Sequence, residues 1–361
     1  MTQNKWVKGW LWIGILMVLV QVSIGGITRL TDSGLSMTSW EPIKGALPPM
    51  NEEAWVRAFD DYRRYPEYYQ KNADFTLAEF KGIYWWEYIH RAWARLIGLV
   101  FFFPFVVFVA KGWIDRKLGL ALLGVVLLGA AQATMGWIMV QSGMDDNPWV
   151  SPYRLTAHLF LALALFALLY RMVLPVSSTS GKPRDGHQRF KTLLWVLTAL
   201  VLVQIAYGGL VAGSDAARHY NTWPDMNGEL IPQKLFKRGM EWQTVRHNTI
   251  TPQFIVNVQF LHRTLALLVL ALTALFWWRT RNTLDRAFQR GAGALLLVVL
   301  LQVGLGIGTI LLSNPQRIHL ELGVLHQLCA FLLVGVLVFL HRSTAPVSRP
   351  VSAPVSAGAE R

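Results

Sequence analysis

Eight long apolar stretches limit what this 361-residue chain can fold into. A bilayer core needs about 20 consecutive apolar residues per helix, and each stretch is close to that length. Only 15% of the residues are charged, whereas a soluble domain carries about a quarter. The sequence therefore predicts an all-α integral membrane protein with eight transmembrane helices, at 10–27, 85–110, 118–140, 153–174, 193–212, 254–278, 291–312 and 320–340.

The net charge of +13 is unevenly distributed along the chain. Both termini and the short connections 111–117, 171–191 and 279–290 are basic, whereas 141–152 and 313–319 carry at most one Lys or Arg. This alternation is the positive-inside pattern, which predicts that both termini lie in the cytoplasm. The excess charge is thus interpreted as a topology signal and not as a nucleic-acid-binding surface.

The first apolar stretch resembles a signal peptide only superficially. It is followed by GGITR and not by a small-residue cleavage site, so we expect a retained first helix. No Arg- and Ser-rich amphipathic leader precedes it, which favours a bacterial inner membrane over an organelle.

The two halves of the chain repeat each other. QVSIGG at 21–26 reappears as QIAYGG at 204–209, an offset of 204 − 21 = 183, and the same offset relates Trp40 to Trp223. Later landmarks keep their order at smaller offsets. The repeat predicts two duplicated four-helix bundles that run in the same direction through the membrane. We place the first at 1–174, a cytoplasmic linker at 175–188, the second at 189–342 and a disordered cytoplasmic tail at 343–361.

Each half also carries a long connection on the predicted outer side, at 28–84 and 213–253. Both are too polar to cross a membrane, yet both contain several tryptophans. We expect them to be ordered, each with a short amphipathic helix.

Four histidines lie within the predicted helices, at equivalent positions of the two halves: His90, His158, His262 and His326. Each is one to three turns from the outer end of its helix. A polar ring in hydrocarbon is costly unless it is hydrogen-bonded or ligated. A single such histidine is best explained by a helix–helix hydrogen bond, but paired imidazoles on facing helices suit haem iron. Glycines on the neighbouring helices would let a flat macrocycle approach, although on the glycines alone close helix packing is the better explanation.

The halves differ beside the first histidine of each pair. Glu87 shares a helix face with His90, whereas its counterpart at offset 172 is Gln259. A membrane carboxylate is a functional hypothesis by default. Arg91 and Arg95 continue the same stripe; they could balance Glu87, bind haem propionates or, for Arg91, anchor the helix at the interface. We infer that the first half holds a substrate and the second a resident cofactor.

Four motifs carry a specific resemblance: GGITRLTDSGLSMTSWEPIKGALPP, EYIHRAWARLIG, GWIMVQSGM and YRLTAHL. They resemble haem A synthases, particularly the longer-loop branch of proteobacteria and mitochondria, and the similarity runs from the first helix to about residue 340. The resemblance implies successive oxidation of the C8 methyl group of haem O to the formyl group of haem A, for terminal oxidase biogenesis. It departs from some members in lacking a pair of outer-loop cysteines, which excludes a thiol-based mechanism here.

By matching motif, the resemblance implies that His90 and His158 are iron ligands at the substrate haem. It makes Glu87 the essential acidic residue, and His262 and His326 the ligands of a haem b cofactor. Haem O is the implied substrate. Haem O synthase, oxidase assembly factors and a second copy of the chain are candidate partners, in addition to membrane lipid.

Three other classes fit parts of the pattern. A di-haem b-type electron-transfer protein explains four histidines but not the Glu87–Gln259 difference. A transporter predicts broken helices and a site at the membrane midplane. A histidine-box diiron enzyme needs closely spaced histidines within a helix, which the chain lacks.

Overall fold

The computed structural model describes residues 4–38, 46–144, 148–174, 190–237, 250–282 and 285–344. The predicted linker, and the predicted tail beyond Thr344, lie outside these residues. The described chain forms α1 (Lys5–Leu30), α2 (Glu52–Tyr62), α3 (Pro66–Lys71), α4 (Leu77–Ala110), α5 (Arg116–Gln141), α6 (Pro152–Val173), α7 (Lys191–Gly213), α8 (Ala216–His219), α9 (Pro252–Thr280), α10 (Arg286–Leu312) and α11 (Leu320–Ser343).

Eight helices of the described chain are long and apolar enough to cross a membrane: α1, α4, α5, α6, α7, α9, α10 and α11. The prediction of an all-helical membrane protein with eight spans is therefore confirmed. The helix ends follow local signals. Asp115 and Asp285, for example, accept backbone N–H groups at the starts of α5 and α10.

Helix α4 is longer than its apolar stretch. It begins at Leu77, where Thr76 and Glu79 form a capping box, and contains 34 residues, which corresponds to about 51 Å. The bilayer core is only about 30 Å thick, so the first turns of α4 project beyond it on the predicted outer side. There α2 and α3 pack on α4 through buried aromatic side chains, among them Trp55, Tyr62 and Phe80. The described part of the first long connection thus contains the two short helices α2 and α3, and the described part of the second contains only the four-residue α8.

Contacts between the helices fall into two groups along the chain. In the first half α1 packs on α4 and α6, and α6 packs on α5; in the second half α9 packs on α7 and α10, and α10 packs on α11. The groups meet where α1 contacts α11 and where α6 contacts α7 and α11. These contacts are consistent with two bundles side by side, although their origin by duplication stays a prediction.

Equivalent glycines allow the two groups to approach. A Cβ added at Gly26 would lie 3.1 Å from Gln327 Oε1, and one added at Gly209 would lie 2.6 Å from Thr156 Oγ1. The two glycines are related by the same offset, 209 − 26 = 183. On the predicted outer side, Arg29 Nη2 lies 2.9 Å from Asp215 Oδ1, which links the end of α1 to the segment after α7.

Candidate functional site

Each predicted histidine lies against one glycine of a neighbouring helix. The histidines occupy α4, α6, α9 and α11, and their glycines occupy α1, α5, α7 and α10. A Cβ on any of these glycines would come within 3.0–3.2 Å of the imidazole ring. Real Cβ atoms rarely approach a neighbour that closely, so a larger residue would displace the ring. The pairs are His90 with Gly25, His158 with Gly136, His262 with Gly208 and His326 with Gly306.

A glutamine four residues before each glycine binds the same histidine. Gln132 Nε2 lies 3.1 Å from His158 Nε2, and Gln302 Nε2 lies 3.2 Å from His326 Nε2. The other two glutamines bond the backbone carbonyl of their histidine, Gln204 in addition to the ring and Gln21 instead of the ring. Gln204 Nε2 lies 3.0 Å from His262 Nδ1 and donates to its carbonyl, while Gln21 donates to the His90 carbonyl at 3.2 Å. Residues four apart share a helix face, so one Gln-x-x-x-Gly segment both supports and orients each histidine.

The second-half histidines have the separation that one haem iron requires. The ring centroids of His262 and His326 are 6.4 Å apart, and their planes are 79° apart. Two metal–nitrogen bonds of about 2 Å in line place the ligating nitrogens about 4 Å apart. Because each centroid lies roughly 1 Å behind its nitrogen, opposite ligands of one iron have centroids about 6 Å apart. His326 Nδ1 is also buried with no hydrogen-bond partner among the described residues. The pair therefore fits a haem.

The first-half histidines are held less closely together. No ring contact of the kind that joins the second pair is found between His90 and His158, both of which the structure describes. His158 Nδ1, like its counterpart in His326, is buried without a hydrogen-bond partner in the described chain. The rings of the first pair are therefore not in contact, and one buried ring nitrogen of His158 is available to a ligand.

Glu87 is buried on α4 and accepts three donors. Its Oε2 accepts from Ser36 Oγ at 2.7 Å and from the Met37 N–H at 2.8 Å, and its Oε1 is 2.5 Å from Arg91 Nη2. Every one of these contacts uses the carboxyl group as an acceptor, which suits the ionised form. Arg91 also donates to the Met37 carbonyl at 3.2 Å. Of the roles open to Arg91, the one that the contacts support is balancing the charge of Glu87.

The equivalent position of the second half carries no such charge. Gln259 Nε2 donates to the Tyr220 carbonyl at 3.4 Å, and Tyr220 is the counterpart of Met37, since 220 − 37 = 183. Arg263, the counterpart of Arg91, donates to the same carbonyl at 2.7 Å and to the carbonyls of Thr222 and Asp225. The two halves therefore share one scaffold, in which the first half has a carboxylate and the second an amide.

Comparison with known proteins agrees with the sequence motifs. A sequence profile of COX15-CtaA, described as a cytochrome oxidase assembly protein, matches residues 8–338. The chain belongs to this family.

Its COX15-CtaA relatives include the Heme A synthase of Nitrosomonas eutropha, which is 44% identical over 338 residues covering 92% of each chain. The Heme A synthase of Paramagnetospirillum magneticum is 45% identical over 329 residues, or 90% of each chain. That of Wolbachia pipientis is 40% identical over 333 residues, which cover 92% of this chain and 96% of its own. The resemblance to haem A synthases is thereby confirmed.

Arg95 lies one turn further along α4 than Arg91 and is half-buried. Nothing in the structure tests the proposed binding of haem propionates by either arginine. In this COX15-CtaA chain Arg263, which the sequence did not single out, donates to three backbone carbonyls.

A second buried carboxyl group lies in the outer segment. Burial raises the pKa of Glu67, on α3, to about 8, although nearby Lys71 opposes this, and the charge of Glu87 raises it further. Tyr62 Oη donates to Glu67 at 3.2 Å and accepts from Asn72 at 2.7 Å. Sequence reasoning missed Glu67, because a Glu in a short polar helix gives no sign that it is buried.

Sequence reasoning also missed the role of the four glutamines. It used them as repeat landmarks and left the glycines to helix packing. The available signal was the four-residue spacing, which occurs on one neighbouring helix of every predicted histidine.

Proposed function

We propose that this chain is a haem A synthase, which oxidises the C8 methyl group of haem O to the formyl group of haem A. The proposal is supported by the names of its close relatives and by the family's description as a cytochrome oxidase assembly protein. The observation that carries it is the four-fold histidine arrangement with a carboxylate in one half only. Two haem sites with the same surrounding residues would suffice to carry electrons. A carboxylate beside only one of the two histidine pairs suits a reaction on a substrate bound there.

In this proposal the first half binds the substrate. His90 and His158 ligate the iron of haem O, and the glycines behind their rings leave room for the macrocycle. The wider setting of this pair suits a ligand that must arrive and leave, because tight bis-histidine ligation would slow its release.

The second half holds the resident cofactor. His262 and His326 would bind haem b, with Gln204 and Gln302 fixing the orientation of the rings. When bound, haem b would supply a route for the electrons that the methyl carbon loses.

Glu87 acts at the first site through its charge. Conversion of a methyl to a formyl group removes two hydrogens from carbon and adds one oxygen, so protons and positive charge must be managed close by. A carboxylate held by Arg91, Ser36 and a backbone N–H is fixed in place and can stabilise a cationic centre or accept a proton.

We further propose that the chain lies in a bacterial inner membrane with both termini in the cytoplasm. The basic short connections support this orientation. The histidines then lie in the outer half of the bilayer, and α2 and α3 lie outside it.

The test is to purify the protein from a host that makes haem O and to extract its haems. We expect haem B together with haem O or haem A, and only haem B from a His90→Ala/His158→Ala variant. If the unsubstituted protein contains haem B alone at two sites and forms no haem A, the chain is a di-haem electron-transfer protein and the proposal fails.

A further inference from the structure

Helices α4 and α5, which flank the first histidine pair, stand apart, whereas their counterparts α9 and α10 pack along each other. Within α4, described in full, no residue after Glu87 is buried. In α9, by contrast, Val269, Thr273 and Phe276 are buried in the same stretch of helix. The seam between these two helices is therefore open in the first half and closed in the second.

Two glycines of these helices have open space beside them, whereas the second half has larger side chains at the equivalent positions. A Cβ added at Gly98 of α4 or at Gly129 of α5 would meet nothing within 4 Å. The offsets found for these helices, 172 and 170, relate Gly98 to Leu270 and Gly129 to Val299. Val299 is 2% exposed in the hydrophobic core, and Leu270 packs against that core. The difference at the seam is therefore present in the sequence as well as in the helix positions.

Hydrogen bonds to α1 hold α4 away from α5. Pro104 has no N–H, so the Val100 carbonyl lacks its usual helical partner, and Trp10 Nε1 donates to it at 2.9 Å. Trp93 Nε1 donates to the Met17 carbonyl at 3.0 Å, and Thr28 Oγ1 donates to the Trp86 carbonyl at 3.3 Å. Together with the bond from Gln21, these bonds join α4 to α1 along most of the length of α1.

Helix α5 is held on its other side, by α6. Gln132 bonds the His158 ring, and Arg154 donates to the Ile138 carbonyl at 3.0 Å. Since α4 and α5 are each fixed to a different neighbour, the gap between them is part of the fold and does not require a helix to move.

We infer that the gap between α4 and α5, lined by Gly98 and Gly129, is the route by which the apolar haem substrate passes between the bilayer and the His90–His158 site. This inference rests on the proposed function and adds the direction of access. A flat apolar macrocycle partitions into lipid, and the spanning segments of α4 and α5 carry exposed apolar side chains, among them Phe103 and Leu127. The closed seam of α9 and α10 correspondingly retains the second haem.

The test replaces Gly98 and Gly129 by the residues found at the equivalent positions of the second half. Gly98→Leu/Gly129→Val should narrow the gap without touching either histidine. Purified holoprotein containing haem b is mixed with phosphatidylcholine vesicles that carry haem O, and ligation is followed by the change in the Soret band. We expect loading to slow by at least about tenfold, equivalent to roughly 1.4 kcal/mol in the barrier, with the haem b spectrum and melting temperature unchanged.

Gly9→Leu is the matched control, because Gly9 lies on α1 with nothing within 4 Å of an added Cβ. It should load at the unsubstituted rate. Gly129→Ala and Gly129→Val alone form a graded series in case the double variant does not fold, and loading should slow in that order. An unchanged rate in the folded gap-filling variants would overturn the access route. A Soret change that persists in His90→Ala/His158→Ala would instead overturn the ligand assignment of the proposed function.

Discussion

Replacement of Glu87 by Gln tests whether the buried carboxylate that the second half lacks is needed for haem A formation. The amide keeps the side-chain volume but has only one acceptor oxygen. If that oxygen stays with Ser36 and Met37, the new NH₂ group faces the Arg91 guanidinium, and the two donors cannot bond. Arg91, 12% exposed, keeps its bond to the Met37 carbonyl but loses its counter-charge. Breaking a buried pair in this way costs about 3 kcal/mol or somewhat more.

The loss of activity should exceed what that destabilisation explains. A group that transfers a proton or balances charge in a reaction contributes about 10²–10⁴-fold to its rate, so haem A formation by Glu87→Gln should fall by that factor. Haem O or the partly oxidised alcohol should accumulate while the haem b band persists. The assay is quantification of extracted haems per haem b, with melting temperature as the check on folding.

Gln259→Asn is the control at the equivalent position, where the change removes one buried methylene and alters the 3.4 Å bond to the Tyr220 carbonyl but no charge. It should leave haem A formation unchanged. Near-normal haem A formation by folded Glu87→Gln would refute the argument that the charge of Glu87 is needed. It would leave the histidine assignments in place.

Three further results are expected. Replacing both His262 and His326 by Ala should remove the b-type absorption band from a protein that still inserts; survival of haem b would show that the cofactor is held elsewhere. Reporter fusions after Lys117, within 175–188 and after Arg342 should report the cytoplasm, and one within 49–71 should report the outside, whereas the opposite result for the last would invert the topology. Because Glu67 has a raised pKa of about 8 against 4.5 ordinarily, the folded protein retains a proton that the unfolded chain releases between these values. Stability should therefore fall from about pH 5 to 8 and level off above, and thermal unfolding of Glu67→Gln should lose this pH dependence.

The membrane spans could be predicted from the sequence because hydrocarbon imposes a strong and local constraint. Every spanning segment must be apolar over about 20 residues, and this signal needs no knowledge of neighbouring helices. The start of α4 was harder to predict from the sequence. Its first turns contain Glu79 and Lys81 and fall outside the apolar stretch. They are helical because a capping box starts them and the aromatic cluster around Trp55 and Phe80 covers them.

The sequence singled out the histidines that we propose as ligands, but it did not single out the residues that contact them. A histidine in an apolar helix is conspicuous by itself, whereas Gln132 and Gly136 acquire meaning only when α5 is placed beside His158. Glu87 was conspicuous for the same reason as the histidines. Its partners Ser36 and Met37 were not, because they lie on a connection whose path over α4 is set by tertiary packing.

The two halves differ at two places that a single cause explains. One is the carboxylate of Glu87 against the amide of Gln259, and the other is the open seam at Gly129 against the closed seam at Val299. A duplicated pair of electron-carrying sites would have no reason to open one seam, because a resident haem is best retained by close packing. A site that only exchanged its ligand would have no reason to bury a charge, since a buried carboxylate is costly even when paired. Exchange and chemistry together require both differences in the same half, and both occur in the first half.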